Sequence, residues 1–324
     1  MNTIQRRTLL AACASAALPL RAQTKWPAQP IRLIVPFPPA GGTDLISRLI
    51  ADRITGSEDG WSFVVDNRAG AGGNIGIDAV AKSRPDGYTI GMGQTSNLAI
   101  NPSLYKRMPY NVGRDLSLIA LVAGQPLVLV VRADAPYKRF EDLMAAMKAK
   151  PGALTMASPG GGSVGHLSGE LLGVRTGVKF LHVPYKGAGP AVNDLLGGQV
   201  DWYFSTPQAA LPMIQVSKLR ALAVTSLNRV EILRDVPTLD ESGVRGFEAS
   251  DWKAVVGPAG MPADVVRRLN EAVNAALARP EMVERLRSEG GVPLPMTPEK
   301  FKEFLAAENR RWGEAVRVSG ATID

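Results

Sequence analysis

A short apolar run rich in β-branched residues, Ile31-Arg32-Leu33-Ile34-Val35, leads straight into a stiff and open loop. Pro36-Phe37-Pro38-Pro39-Ala40-Gly41-Gly42 holds three prolines that restrict the backbone and two glycines that leave it bare. Beyond it Leu45, Ile46, Leu49, Ile50 and Ile54 keep helical spacing, with Thr43 as the expected N-cap and Asp44 in the first turn. Strand, glycine loop and helix in this order form the βα unit of a parallel sheet. N–H groups at a helix start attract anions. The loop therefore reads either as a seat for a carboxylate or as a tight βα turn without a ligand.

The same rhythm continues. Trp61–Val65 is a second strand, Asn67–Asn74 a second glycine-rich loop before a helix, and Tyr88–Gly93 a third strand ending in Gln94-Thr95-Ser96-Asn97. A βαβαβ order predicts a parallel sheet with helices on both faces and ligands beyond the carboxyl ends of the strands. Leu118–Val131 is long and apolar, interrupted by Gly124-Gln125-Pro126, and predicts two strands with the second crossing into another domain. There the pattern restarts: a helix over 140–149, strand Leu154–Ala157, loop Ser158–Gly165, a helix, a strand over 178–183, then Pro184-Tyr185-Lys186-Gly187. Pro190 and Gly197-Gly198 bracket a helix, and Val200–Phe204 and Leu219–Thr225 are further strands. Trp252–Gly257 reads as a return strand, followed by a helix from Pro262 and a last one from Pro298 to about Val318. The expected organisation is α/β, with residues 1–22 a signal peptide, 23–123 plus 249–324 one lobe and 124–248 the other. Two chain crossings would let the lobes hinge around a shared cleft.

The N-terminus carries Arg6-Arg7, an apolar run from Leu9 to Leu20 and a small residue at Ala22, the pattern of a secretory signal. Its apolar core is too short for a spanning helix. Cys13 is the one cysteine; Leu10-Ala11-Ala12-Cys13 resembles a lipoprotein processing site, but too little apolar sequence precedes it to favour a lipid anchor. Cleavage near Ala22 leaves no cysteine and no disulfide. The net charge of +7 drops by the three leader arginines to +4, without a basic run and with 6% aromatics, which argues against a nucleic-acid partner.

Gly161-Gly162-Ser163-Val164-Gly165 fits a nucleophile elbow, but a triad lacks material: the histidines are His166 and His182, and Glu170 is the one acid between Ser163 and His182. Gly160, Gly162 and Gly165 also fit a dinucleotide loop, but the next strand ends His182-Val183-Pro184 without the acid that would hold a ribose. Two histidines and no mature cysteine disfavour a metal site, and no cofactor is expected. The simpler reading is that backbone N–H groups and the hydroxyls of Ser158, Ser163, Thr43, Thr95 and Ser96 hold an acid. His166 is either packed or at the ligand; Lys186 is a turn lysine or a rim charge; Asp201 is a turn acid or an acceptor for the ligand.

Several stretches carry a specific resemblance: Pro36–Asp44, Asn67–Gly76, Pro85–Thr89, Asn101–Tyr110, Ser158–Leu172, Val183–Asp201, Arg234–Leu239 and Gly257–Pro262. They cover essentially the whole mature chain and resemble the Bug-type periplasmic solute-binding proteins of the tripartite tricarboxylate transporter family. The resemblance implies a two-lobed, type II binding-protein fold of mostly parallel sheets, which closes on a small carboxylate in the periplasm. It implies delivery to cognate permease subunits and no chemistry; the chain is expected to act as a monomer. Two loops, Pro36–Thr43 and Ser158–Gly165, would grip one carboxylate by backbone groups and water. The candidate ligand residues are Phe37, Gly41, Gly42, Thr43, Thr95, Ser96, Ser158, Gly161, Gly162, Ser163, Gly165, His166, Tyr185, Gly187, Asp201 and Ser205. The alternatives kept open are a serine esterase using Ser163 and a ligand sensor for a signalling partner.

Overall fold

The strands sort into two sheets in a computed structural model that describes residues 26–39, 41–57 and 60–323. The predicted signal peptide, Cys13 and Ala40 lie outside the described residues. The first sheet has the order β11-β4-β10-β3-β1-β2, from β1 (Ile31–Val35), β2 (Phe63–Asn67), β3 (Thr89–Gln94), β4 (Leu116–Pro126), β10 (Ser250–Pro258) and β11 (Val292–Pro293). The second runs β7-β6-β8-β5-β9, from β5 (Val128–Arg132), β6 (Thr155–Ser158), β7 (Leu181–Pro184), β8 (Trp202–Ser205) and β9 (Leu219–Val224). In each sheet the predicted βαβ units pair in parallel: β1 with β2 and β3, and β6 with β7 and β8. The strands at the chain crossings pair antiparallel, β10 with β3 and β4, and β5 with β8 and β9. Each sheet is therefore mixed, because a chain that leaves a lobe and returns must run against the strands it rejoins.

The longer helices are α1 (Gly42–Thr55), α2 (Asn74–Ala81), α3 (Phe140–Ala149), α4 (Val164–Thr176), α5 (Ala188–Leu196), α6 (Pro207–Gln215), α7 (Ala263–Leu277), α8 (Pro280–Ser288) and α9 (Pro298–Ser319). On one face of the first sheet Ile31, Leu33, Ile50, Ile54 and Leu269 pack with Met92 and Val255 in one core. Each such apolar side chain contributes about 1.5–3 kcal/mol by burial. On the other face Trp252 and Val256 pack with Phe301, Leu305 and Trp312 of α9, in a core that continues to Leu167 and Leu172 of α4 in the second lobe.

Both crossings meet at one fully buried residue, Thr225. Its hydroxyl donates to the Ala249 carbonyl at 2.6 Å and accepts from the Leu127 N–H at 2.8 Å, while its own N–H reaches the Leu127 carbonyl at 2.9 Å. The break between β4 and β5 thus falls at Leu127 and not at the predicted Gly124-Gln125-Pro126, which stays in β4 because β10 pairs with it residue by residue.

Candidate functional site

The helix that follows β1 starts one residue before the predicted cap. Gly41, extended at φ −79° and ψ 164°, stands at the N-cap of α1 and offers no side chain to the first turn. Thr43 lies inside the helix, and its hydroxyl donates to Gln94 Oε1 at 2.6 Å. The Asn67 amide braces the loop, donating to the Phe37 carbonyl at 3.0 Å and to Asp44 Oδ1 at 2.9 Å. The Asp44 carboxylate also pairs with Arg48 at 3.0 Å. A Cβ placed on Gly42 would meet no atom within 4 Å. The bare start of α1 therefore opens onto free space, and its partial positive charge is available to an anion.

The loop before α4 is built differently. Ser163 is the N-cap of α4: its Oγ accepts from the His166 N–H at 3.2 Å and donates to the Gly160 carbonyl at 2.7 Å. The Gly162 N–H donates to His166 Nδ1 at 3.2 Å, and the Gly160 N–H to Ser158 Oγ at 3.2 Å. Much of the donor set assigned to a ligand is thus used within the loop. Gly162 sits at φ +76°, and a Cβ there would lie 2.9 Å from both Asn101 Oδ1 and Leu104 of the first lobe. At Gly165 a Cβ would come within 2.8 Å of the Phe204 carbonyl, so this glycine lets α4 approach β8. A Cβ on Gly161 would face Ile323 at 3.8 Å.

His166 and His182 stack with ring centroids 3.9 Å apart and planes 8° from parallel. Because His166 Nδ1 accepts from Gly162, its proton sits on Nε2, 3.7 Å from Glu170 Oε1. His182 Nε2 meets the buried Ser158 hydroxyl at 2.6 Å. Burial first, and the neighbouring His166 second, push the His182 pKa down to about 4 against a smaller opposing effect of Glu170. The unfolded chain therefore binds one more proton than the folded one between about pH 6.5 and 4. Stability should fall as the pH drops through that window and level off below it. Melting curves across the range should show a shallower decline in His182→Asn than in the parent.

The remaining expected residues divide. Ser96 is buried, and its hydroxyl accepts from Gln94 Nε2 at 3.0 Å. The Phe37 ring lies over Gly73. Thr95 is fully buried between strands, donating to the Ser250 carbonyl at 3.2 Å and accepting from the Trp252 N–H at 2.8 Å, so it holds β3 to β10. Ser205 is fully buried, with its hydroxyl on the Thr206 carbonyl at 3.1 Å. The Tyr185 hydroxyl donates to Asp194 at 2.8 Å; burial and then that carboxylate raise its pKa to about 12. The Gly187 N–H reaches the Pro159 carbonyl at 3.0 Å and so holds its loop against Ser158–Gly160. Asp201 is engaged on Thr155. It precedes β8 and accepts from the Thr155 N–H at 2.7 Å and hydroxyl at 2.9 Å, at the amino ends of β6 and β8. Its carboxylate thus joins these two strands.

Residues that the sequence reading passed over complete the gap at Gly42. A small cavity of about 20 Å³ is lined by Gly42, Ile46, Gln125, Gln208, Asp251 and Lys253, among others. The visible signal was Asp251-Trp252-Lys253, two charges at strand spacing inside an otherwise apolar strand. A larger groove, about 490 Å³, opens between α4 and α9. It is lined by Leu171, Val174 and Arg175, two to three helical turns from the Ser163 end of α4, and is remote from both glycine loops. Among the described residues no three His, Cys, Asp or Glu side chains gather as a metal site, and no helix is long and apolar enough to cross a membrane.

Two mixed sheets flanked by helices and joined by a double crossing make the two-lobed architecture of the periplasmic binding proteins. Residues 46–320 match the family described as the tripartite tricarboxylate transporter family receptor, and the chain belongs to that family. It is 42% identical to protein BugT of Bordetella pertussis over 313 residues, covering 96% of this chain and 95% of that protein. It superimposes on the R. palustris protein Rpa4515, solved with adipate, at a TM-score of 0.87 with 36% identity, covering 92% of this chain and all of that one. The periplasmic binding protein BugD matches with a TM-score of 0.84 and 36% identity over 92% of this chain and 99% of that one. The family consists of solute-binding receptors, and the Ser163 hydroxyl has the Gly160 carbonyl and the His166 N–H as partners.

Proposed function

We propose that this protein captures a small organic carboxylate outside the cytoplasm by closing two lobes on it, residues 23–123 plus 249–324 and residues 124–248. As a monomer it would then present the acid to permease subunits of a tripartite tricarboxylate-type transporter. The observation that carries the reading is the uncapped start of α1, where Gly42 has open space beyond its Cα beside an inter-lobe cavity. Backbone N–H groups at a helix start bind carboxylate without a side-chain cation. Adipate, bound by the structural relative Rpa4515, is such an acid. The Pro36–Thr43 stretch contains no Lys or Arg, and neither does Ser158–Gly165. The grip is asymmetric: the α1 loop supplies bare donors, and the self-capped α4 loop supplies shape and the groups that remain, Gly161 and Gly165 among them.

A ligand that binds only the folded protein raises its melting temperature with concentration. Mono-, di- and tricarboxylates, amino acids and aromatic acids should include at least one that does so, where sugars and cations do not. A response to sugars or cations alone would exclude the carboxylate class. Ser163→Ala separates the two roles of that residue. It is expected to cost about 1 kcal/mol of stability through the lost N-cap while changing acid affinity less than threefold. Hydrolysis of simple esters by the parent that vanished in Ser163→Ala would replace the receptor reading with an esterase.

A further inference from the structure

Asp251 and Lys253 stand two residues apart on β10, on one face of the strand, at the cavity beside Gly42. Both are more than nine-tenths buried, at 8% and 5% exposure. Lys253 Nζ donates to Asp251 Oδ2 at 2.6 Å. Asp251 Oδ1 is buried and has no hydrogen-bond partner among the described residues. From the second lobe Gln208, in the first turn of α6, lines the same cavity and donates to Gln125 Oε1 at 2.5 Å.

Resting on the carboxylate reading of this cleft, we propose that Asp251 and Lys253 form a subsite that selects acids bearing a hydroxyl or ammonium donor on the carbon chain. The pair is neutral as a whole, so it adds direction without adding net charge. Its open positions are an acceptor, Asp251 Oδ1, next to an ammonium with three N–H groups and one bond to Asp251. A hydroxyl or ammonium on the ligand fills the acceptor, and an oxygen of the ligand can accept from Lys253. A methylene in that place would leave a buried carboxylate oxygen unpaired. Sites built to hydrogen-bond a substituent reject analogues without it far more strongly than apolar pockets reject a missing methyl. The loops thus recognise the acid group, and β10 recognises what the chain of the acid carries.

Calorimetric titration with two matched series tests this: succinate, malate and aspartate, then glutarate, 2-hydroxyglutarate and glutamate. In at least one series the hydroxy or amino member should bind tenfold or more tightly than the unsubstituted acid. The stronger of those two members identifies the donor. Asp251→Leu with Lys253→Met removes both charges together, so neither remains buried alone. That double variant should bring all members of the series within threefold. Should it fail to fold, Asp251→Val with Lys253→Leu, which likewise removes the acceptor and the donors together, takes its place, with the same expectation. Equal binding of the unsubstituted acid by the parent, or a preference that survives in the folded double variant, would overturn the subsite and leave the carboxylate reading standing. If only a longer or aromatic acid shifts the melting temperature, its hydroxylated and unsubstituted forms are compared by the same two criteria. A protein that responds to no acid at all overturns the carboxylate reading instead.

Discussion

Gly42→Val is expected to fold like the parent and to weaken carboxylate binding at least tenfold, while Gly162→Val is expected to lose stability whether or not a ligand is present. The two glycines look equivalent in sequence, and their surroundings differ. At Gly42 an added side chain meets nothing within 4 Å, and it would stand in the space before the bare helix start. Its effect should therefore fall on the ligand and not on the fold. At Gly162 the backbone is left-handed, at φ +76°, and the new Cβ would press on the fully buried Asn101 and on Leu104. The left-handed conformation costs a residue with a Cβ roughly 1–2 kcal/mol, and crowding in a packed site adds a similar amount, for a total of about 2–4 kcal/mol. Lys186→Ala, at an exposed turn residue, should change affinity less than threefold, since such a charge is screened by salt. Urea titration gives the stability of each variant. Calorimetry at two salt concentrations, with the acid that gives the largest thermal shift, gives the affinity. Normal binding by Gly42→Val, or abolished binding in Lys186→Ala, would show that the start of α1 is not where the acid sits.

This contrast marks how far the sequence could be read. The strand, loop and helix at 31–55 are legible because a β-branched run, a proline–glycine loop and a 3.6-residue spacing follow one another without overlap. What the reading missed is how the donors are used. Ser163 and His166 have the spacing of an N-cap and its N3 residue, so the capping role was present in the sequence, but the glycines around it suggested a ligand. Asp201 stands just before a strand and bonds to Thr155, a partner that no local pattern discloses. The Asp251-Trp252-Lys253 pattern alone does not reveal a site, because two charges in an apolar strand do not disclose their neighbours. Only the pairing of β10 with β3 and β4 sets Lys253 opposite Gln94 and Ala123, at the cleft end of the sheet. Helix α6 went unread because Pro212, inside it, argues against a helix in any local pattern.

The second large effect lies behind the site, where α9 holds β10 in place. Glu308 is 6% exposed and accepts from two indoles, Trp252 Nε1 at 2.7 Å and Trp312 Nε1 at 3.0 Å. Arg311 adds a longer ion pair to it at 3.4 Å. Glu308→Leu would leave two buried indole N–H groups without an acceptor. Each costs about 1–3 kcal/mol, so the expected loss is about 2–6 kcal/mol, a large share of the stability of a typical domain. Glu308→Gln keeps one carbonyl oxygen with two lone pairs and should lose less than about 2 kcal/mol. Arg311 retains its contact with Glu248 at 3.5 Å in both variants, so the difference between them reports the indoles and not the cation. Urea unfolding followed by tryptophan fluorescence measures the loss, and near-ultraviolet circular dichroism of the folded variants reports the two indole environments directly. Trp252 lies between Asp251 and Lys253 on β10, with its side chain on the opposite face. A loosened Trp252 should therefore also disturb the pair that borders the cleft. A Glu308→Leu variant as stable as the parent would mean that the indoles find water in place of the carboxylate, and that α9 is held by its apolar face alone.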